Sequence, residues 1–101
     1  MIVKVFIKRE IKEGKSKEVL MLLKKFRFDA MDQSGFISAE TLFNYDDPQK
    51  MVVVSMWHSA ENWLEWKENK TRKVHEDKMG QYLEKSTEYE IYVLGAYSHK
   101  K

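Results

Sequence analysis

Cysteine is absent from the 101-residue sequence, and glycine and proline are scarce, with four and one respectively. Without cysteine the chain has no disulfide framework, thiolate nucleophile, cysteine-ligated zinc site or iron–sulfur cluster. The four glycines lie far apart, which excludes a glycine-rich phosphate-binding loop. No apolar run approaches the roughly 18 residues that cross a bilayer, and the opening segment has no signal-peptide pattern. We therefore expect a cytoplasmic protein with no membrane partner.

An excess of charge of one sign is also lacking. The 18 basic and 16 acidic residues leave a formal net charge of +2, which argues against a nucleic-acid partner. Apolar residues make up 43% of the chain and aromatic residues 13%, which is typical of a folded domain. At roughly 150 residues per domain, the length predicts one domain over residues 1–101, with residues 98–101 as a frayed tail.

The periodicity of apolar residues predicts the order strand, helix, strand, strand, helix, strand. The predicted elements are strand 2–11, helix 16–33, strands 36–45 and 51–57, a helical region after Ser59, and strand 88–97. The pattern leaves open whether the helical region is one helix or two. Gly80 is the weak point at which a break is expected, because glycine has a low helix propensity. This order predicts the α+β class, with a ferredoxin-like βαββαβ fold and a four-stranded antiparallel sheet.

The predicted strands carry apolar residues on both faces of the sheet. In the first strand, Val3, Val5 and Ile7 point to one face and Ile2 and Phe6 to the other. The helices can cover only one face, and a domain of this size buries only about two-thirds of its surface alone. We therefore predict a homodimer in which two sheets pack face to face.

Histidines are the candidate proton acceptors, because imidazole titrates near neutral pH. His58 and His75 are the two candidates, although the charged neighbours of His75 are also typical of a solvated helix face. No histidine pair has the spacing of metal ligands, so no metal site is predicted. A Gly-x-Ser-x-Gly nucleophile motif is missing, and the third strand lacks the glycine–aromatic run of RNA-recognition domains.

Three tryptophans lie close together in the sequence: Trp57 at the end of the third strand, and Trp63 and Trp66 on the next helix. Indoles at helical spacing usually pack against a sheet, but they can also line a pocket for a flat aromatic ligand. The sequence leaves both interpretations open. The polar residues that are candidates to face such a pocket are Asn44, Ser55, His58 and Tyr92.

Three short motifs between residues 35 and 66 occur together. They are Gly35-Phe36 at a strand start, Asp47-Pro48 in the hairpin, and Trp57-His58-Ser59 between a strand and a helix. This pattern resembles the antibiotic biosynthesis monooxygenase family. The resemblance implies a dimeric α/β barrel, in which each subunit has a pocket between its sheet and its helices.

The resemblance also implies a choice of activities. Some members of the family are cofactor-free monooxygenases that oxidise aromatic polyketides or quinols. Others bind and degrade haem with an Asn on the first strand and a Trp and a His on the helical segment. Trp66 fits the tryptophan position and His75 falls one residue from the histidine position, but Ile7, Lys8 and Arg9 occupy the region of the asparagine.

Three hypotheses follow for the function. The first is a cofactor-independent monooxygenase that acts on a small aromatic or quinol-like substrate, with no cofactor. The second is a haem-binding relative. The third is a non-catalytic dimeric module that binds a small aromatic ligand.

Overall fold

A computed structural model describes residues 1–95 of the chain. The predicted tail and the end of the predicted last strand lie outside these residues. The elements, in chain order, are β1 (Val3–Glu10), α1 (Ser16–Ala30), β2 (Phe36–Phe43), β3 (Lys50–Trp57), α2 (Ala60–Lys67), α3 (Lys70–Gly80) and β4 (Glu88–Val93). No helix within residues 1–95 combines the length and apolarity needed to span a bilayer.

The four strands form one antiparallel sheet in the order β2-β3-β1-β4. The central strand β1 places Val5 opposite Ser55 of β3 and opposite Ile91 of β4. Val3, Val5 and Ile7 are buried on the face that the helices cover. The α+β class and the ferredoxin-like sheet predicted from the sequence are therefore confirmed.

The helical region after Ser59 is two helices, and the break lies at Glu68 and Asn69 rather than at the predicted weak point, Gly80. Asn69 has extended backbone dihedrals, and its side chain accepts hydrogen bonds from the backbone N–H groups of Thr71 and Arg72. Asparagine is a strong N-cap, so it begins a new helix. Gly80 is instead the last residue of α3, where the loss of helix propensity costs little.

Strict alternation in the sequence predicts that Phe36 shares a face with Ser38, Glu40 and Leu42, and this prediction is wrong for Phe36. The register shifts between Phe36 and Ser38, so that Phe36 pairs with Trp57 and Ala39 pairs with Ser55. A bulge inserts one unpaired residue and reverses the alternation beyond it. Phe36 therefore lies on the helix-covered face, where its ring meets Trp57 edge-on at 5.3 Å.

The other face of the sheet, here called the outer face, has no helix over it in residues 1–95 and carries both apolar and charged side chains, the charged ones including the Lys8–Glu90 ion pair at 2.8 Å. Its side chains are half-buried or exposed; among them are Ile2, Phe6, Leu42, Val52, Val54, Met56 and Tyr92.

The loop before β2 is joined to the start of α2 by a close contact at Gly35. Gly35 has φ +82°, and the side chain of Asn62 occupies the space where a Cβ would be. Asn62 is held there because its backbone N–H donates to Ser59 Oγ at 3.1 Å and its Oδ1 accepts from the same hydroxyl at 2.8 Å. Ser59 is thus the N-cap of α2, as its sequence position predicts.

Gly35→Ala is expected to lower the free energy of unfolding by about 1–3 kcal/mol more than Gly14→Ala. Both glycines have positive φ, so both substitutions introduce the same backbone strain. A Cβ at Gly14 meets nothing within 4 Å, whereas at Gly35 it collides with Asn62. Chemical denaturation of both variants measures the difference, and equal losses would show that Asn62 moves aside freely.

Candidate functional site

A cavity of about 330 Å³ lies between the helix-covered face of the sheet and the helices. Exposed Leu20, Lys24 and Arg27 of α1 line one side of it, where it reaches solvent. The buried part of the wall is mainly apolar and aromatic; it includes Ile7, Phe26, Ala30, Trp57, Trp63 and Trp66. A space of this size and lining suits a small flat organic molecule.

The three tryptophans singled out in the sequence all line this cavity, and all three are buried. Trp57 lies 6.0 Å from Trp63 between ring centroids, and its Nε1–H donates to Ser55 Oγ at 3.1 Å. Within residues 1–95, Trp63 Nε1 has no hydrogen-bond partner. The core and pocket-lining interpretations therefore do not exclude one another, because the same rings form the core on one side and the cavity wall on the other.

Two buried arginines, which sequence reasoning did not select, also line the cavity. Arg9 is 4% exposed and Arg72 is 2% exposed. Arg9 Nη2 donates to Glu76 Oε1 at 2.8 Å, and Arg72 Nη2 lies 3.7 Å from the same oxygen and donates to Tyr89 Oη at 3.1 Å. A signal for Arg9 was present, since it continues the inward alternation of Val3, Val5 and Ile7.

The carboxylate of Glu76 is the negative partner of both arginines. Burial alone would raise its pKa, but the Arg9 charge and hydrogen bond, a hydrogen bond from Thr87 Oγ1, and the Arg72 charge together hold the pKa below its ordinary value. Burial raises the pKa of Tyr89, and the Glu76 charge adds to this against the opposing effect of Arg72. At neutral pH the cluster therefore holds an ionised Glu76, a neutral Tyr89 and two guanidinium cations.

Aromatic rings fix the two guanidinium groups. Arg9 Cζ lies 5.1 Å from the centroid of Phe26, and Arg72 Cζ lies 5.1 Å from Trp63 and 5.3 Å from Tyr89. Cation–π contacts of this length hold a guanidinium in place without using its hydrogen-bond donors.

Neither of the histidines predicted as proton acceptors is among the residues that line the cavity. His58 is exposed, and its backbone N–H donates to the Gly35 carbonyl at 2.8 Å. His75 Nε2 is 2.7 Å from Asp29 Oδ2, and the ring meets Phe26 edge-on at 5.4 Å. The Nδ1 atom of His75 is buried and has no partner in the described part of the chain.

Asn44 and Tyr92 also lie away from this cavity. Asn44 Oδ1 accepts hydrogen bonds from the backbone N–H groups of Asp46 and Asp47 at 2.9 Å, which shapes the β2–β3 hairpin. Tyr92 lies on the outer face, where its ring meets Phe6 edge-on at 5.2 Å. Ser55, by contrast, is buried and lines the cavity.

No histidine of the described residues lines the cavity, so none is placed to ligate a haem iron there. His75, the candidate ligand, lies outside the lining, and its Nε2 is engaged by Asp29 Oδ2 at 2.7 Å. Across residues 1–95, no three His, Asp or Glu side chains come together as metal ligands.

Solved structures share this fold over nearly their whole length. A conserved protein from Methanosarcina mazei Go1 is 20% identical, with 91% of each chain covered and a TM-score of 0.85. SnoaB from Streptomyces nogalater, described as a cofactor-independent oxygenase, is 12% identical, with 98% of each chain covered and a TM-score of 0.84. A search of curated proteins found no significant match.

The sequence itself gives the family. The model of the family described as "Antibiotic biosynthesis monooxygenase" matches residues 2–78, which is most of the chain and includes β1, β3, α2 and nearly all of α3. This span contains the three tryptophans, both buried arginines and Glu76. The chain belongs to the antibiotic biosynthesis monooxygenase family.

Proposed function

We propose that the chain is a cofactor-independent monooxygenase that oxidises a small aromatic, quinol-like substrate in the cavity between the sheet and the helices. The observation that carries this proposal is the cavity wall, in which three tryptophans and two buried arginines surround an apolar space. Membership of the family and the likeness to the fold of SnoaB, a cofactor-independent oxygenase, support the same reaction class.

In this reaction the substrate itself is the reductant. The anion of an electron-rich phenol transfers an electron to dioxygen, and the resulting radicals combine to form a C–O bond at a ring carbon. The resulting peroxide anion takes up the proton that the phenol had released and becomes a hydroperoxide. The hydroperoxide then loses the proton of that carbon as its O–O bond breaks, which leaves a carbonyl, and the departing hydroxide takes a proton to become water. One oxygen atom ends in the product and one in water, so no metal or flavin is required.

The cavity would contribute position and electrostatics. Flat walls formed by Trp57, Trp63 and Trp66 would hold the ring, and the low-polarity space would keep water from the reactive intermediate. The guanidinium groups of Arg9 and Arg72 would attract an anionic group of the substrate and so help to position it.

The proton acceptor is the part that the cavity wall does not supply, since no His, Asp or Glu of the described chain lines it. His58 and His75 stay predictions for this role, and a proton would reach either of them only through solvent or through other side chains. A substrate that binds as its anion would need neither histidine.

Oxygen uptake with a panel of hydroquinones is expected to exceed the uncatalysed rate, and to be unchanged by chelator or by added flavin and nicotinamide. His58→Ala and His75→Ala test the proton acceptors, because a histidine that takes the proton contributes about 10²–10⁴-fold to the rate. Equal rates of oxygen uptake by both variants and by the unaltered protein would show that neither histidine is the proton acceptor. Uptake no faster than background across the panel would refute the enzyme and leave a ligand-binding module.

We also propose that two copies associate through their outer faces, since the apolar side chains of these faces have no cover in residues 1–95. In that arrangement each copy would keep its own cavity on the opposite side of the sheet. A cytoplasmic location stays a prediction.

A further inference from the structure

The buried charges beside the cavity are not balanced. Arg9 and Arg72 bring two positive charges to its wall, and Glu76 brings one negative charge, in a region where both arginines are almost fully buried. A buried charge without a partner is costly, because the protein interior solvates it far less well than water does.

The rest of the cavity wall does not supply the missing negative charge. Its other ionisable side chains, Lys24 and Arg27, are also basic, and no acidic side chain in residues 1–95 lines it. Two other carboxylates near the cluster are engaged elsewhere: Asp29 Oδ2 is 2.7 Å from His75 Nε2, and the exposed Glu68 pairs with Lys73 at 2.8 Å.

The guanidinium groups also have unused hydrogen-bonding capacity. Each guanidinium carries five N–H donors, whereas the cluster offers them mainly the Glu76 carboxylate and the Tyr89 hydroxyl. Arg9 Nε is buried and without a partner in the described residues. Because Phe26, Trp63 and Tyr89 already hold the guanidinium planes, no reorganisation is needed to receive an anion.

We infer that the natural ligand of this cavity is an aromatic acid, whose carboxylate is held by Arg9 and Arg72 while its ring lies against the tryptophans. Arginine presents parallel N–H donors that match the two oxygens of a carboxylate. A carboxylate would bring the cluster to neutrality. The carboxylate is inferred from the two arginines alone, whereas the quinol-like nature of the ring rests on the proposed function. Taken together, they narrow the substrate class to quinols that carry an acid group.

The test compares a naphthalene carboxylate, naphthoate, with its neutral amide, naphthamide, by isothermal titration calorimetry. Neither probe is a hydroquinone, so binding is measured without oxygen chemistry. The unaltered protein is expected to bind naphthoate about 10- to 100-fold more tightly than naphthamide, as a charge-assisted pair of hydrogen bonds predicts. Equal affinities, or no binding of naphthoate at millimolar concentration, would overturn the inference.

Two variants change the charge of the cluster in opposite directions. Arg72→Met leaves the 2.8 Å pair of Arg9 and Glu76 and removes the excess positive charge, so the preference for naphthoate should fall to within about 3-fold. Glu76 does not itself line the cavity, and Glu76→Gln removes the negative charge that pairs with both arginines, so the preference should rise above that of the unaltered protein.

Lys25→Met is the matched control, because Lys25 is an exposed residue of α1 that does not line the cavity, so that its charge is screened by solvent. It should change the preference by no more than about 2-fold.

Near-ultraviolet circular dichroism establishes that each variant is folded. If Arg72→Met does not fold, the test rests on Glu76→Gln. In that case the inference is overturned if Glu76→Gln shows no greater preference for naphthoate over naphthamide than the unaltered protein. Selective binding of naphthoate without oxygen uptake by any hydroquinone would retain the inference and refute the oxygenase.

Discussion

Trp63→Ala is expected to lower the free energy of unfolding by about 3–5 kcal/mol, as is typical when a fully buried aromatic ring is removed. Trp63 is 1% exposed and is packed against Trp57, Tyr89 and the guanidinium of Arg72. Its removal opens a void between α2 and the sheet and also deprives buried Arg72 of a ring that holds it. Denaturant titration followed by circular dichroism measures the loss.

Trp66→Phe is the companion variant, with an expected loss of about 1 kcal/mol. Trp66 is 4% exposed and lines the cavity, so a smaller ring there enlarges an existing space more than it creates a new void. The affinity for naphthoate should fall in Trp66→Phe, because a wall of the cavity has changed. Similarly large losses of stability at both positions would assign Trp66 to the core alone and remove it from the proposed binding wall.

Val54→Glu is expected to abolish the proposed association of two copies. Val54 lies on the outer face, opposite Phe6 of β1 and Glu40 of β2. At micromolar concentration the unaltered chain should sediment at twice its mass of 12.1 kDa. A symmetric interface carries the substitution twice, and an unpaired buried carboxylate costs several kcal/mol, so the dissociation constant should rise at least about 100-fold.

Met21→Glu is the matched control for this experiment. Met21 is a 61% exposed residue of α1 and does not line the cavity, so its substitution introduces the same charge away from the outer face. It should leave the mass unchanged. A monomeric unaltered chain, or a Val54→Glu variant that associates equally well, would contradict the proposed assembly.

The local spacing of apolar residues was sufficient to predict the strands of the sheet and α1. The alternation of Val3, Val5 and Ile7 and the helical spacing of Val19, Leu22 and Phe26 each describe one face of one element. Such a face is set by the geometry of the backbone, which repeats about every two residues in a strand and 3.6 in a helix. The order of the elements then restricted the topology to the ferredoxin-like sheet.

Local pattern failed where one residue changed the geometry. The bulge at the start of β2 moved Phe36 to the helix-covered face, and the Asn69 cap divided the helical region in two. Each feature arises from a single position, whereas a periodicity pattern is judged over several residues together and therefore does not detect it. The new helix axis beyond Asn69 directs Arg72 and Glu76 of α3 inward, although they belong to a run that looks uniformly solvated in the sequence.

By itself the sequence determined the family, the class of fold and the presence of three aromatic rings near one end of the sheet, because these depend on composition and on contacts close in the chain. Only the tertiary structure decided what surrounds the cavity. Arg9 and Glu76 are 67 residues apart and meet at 2.8 Å, whereas His58 and Tyr92 lie elsewhere. The pairing of buried charges depends on where α3 lies relative to β1 and β4, and that position is a property of the whole chain rather than of any segment.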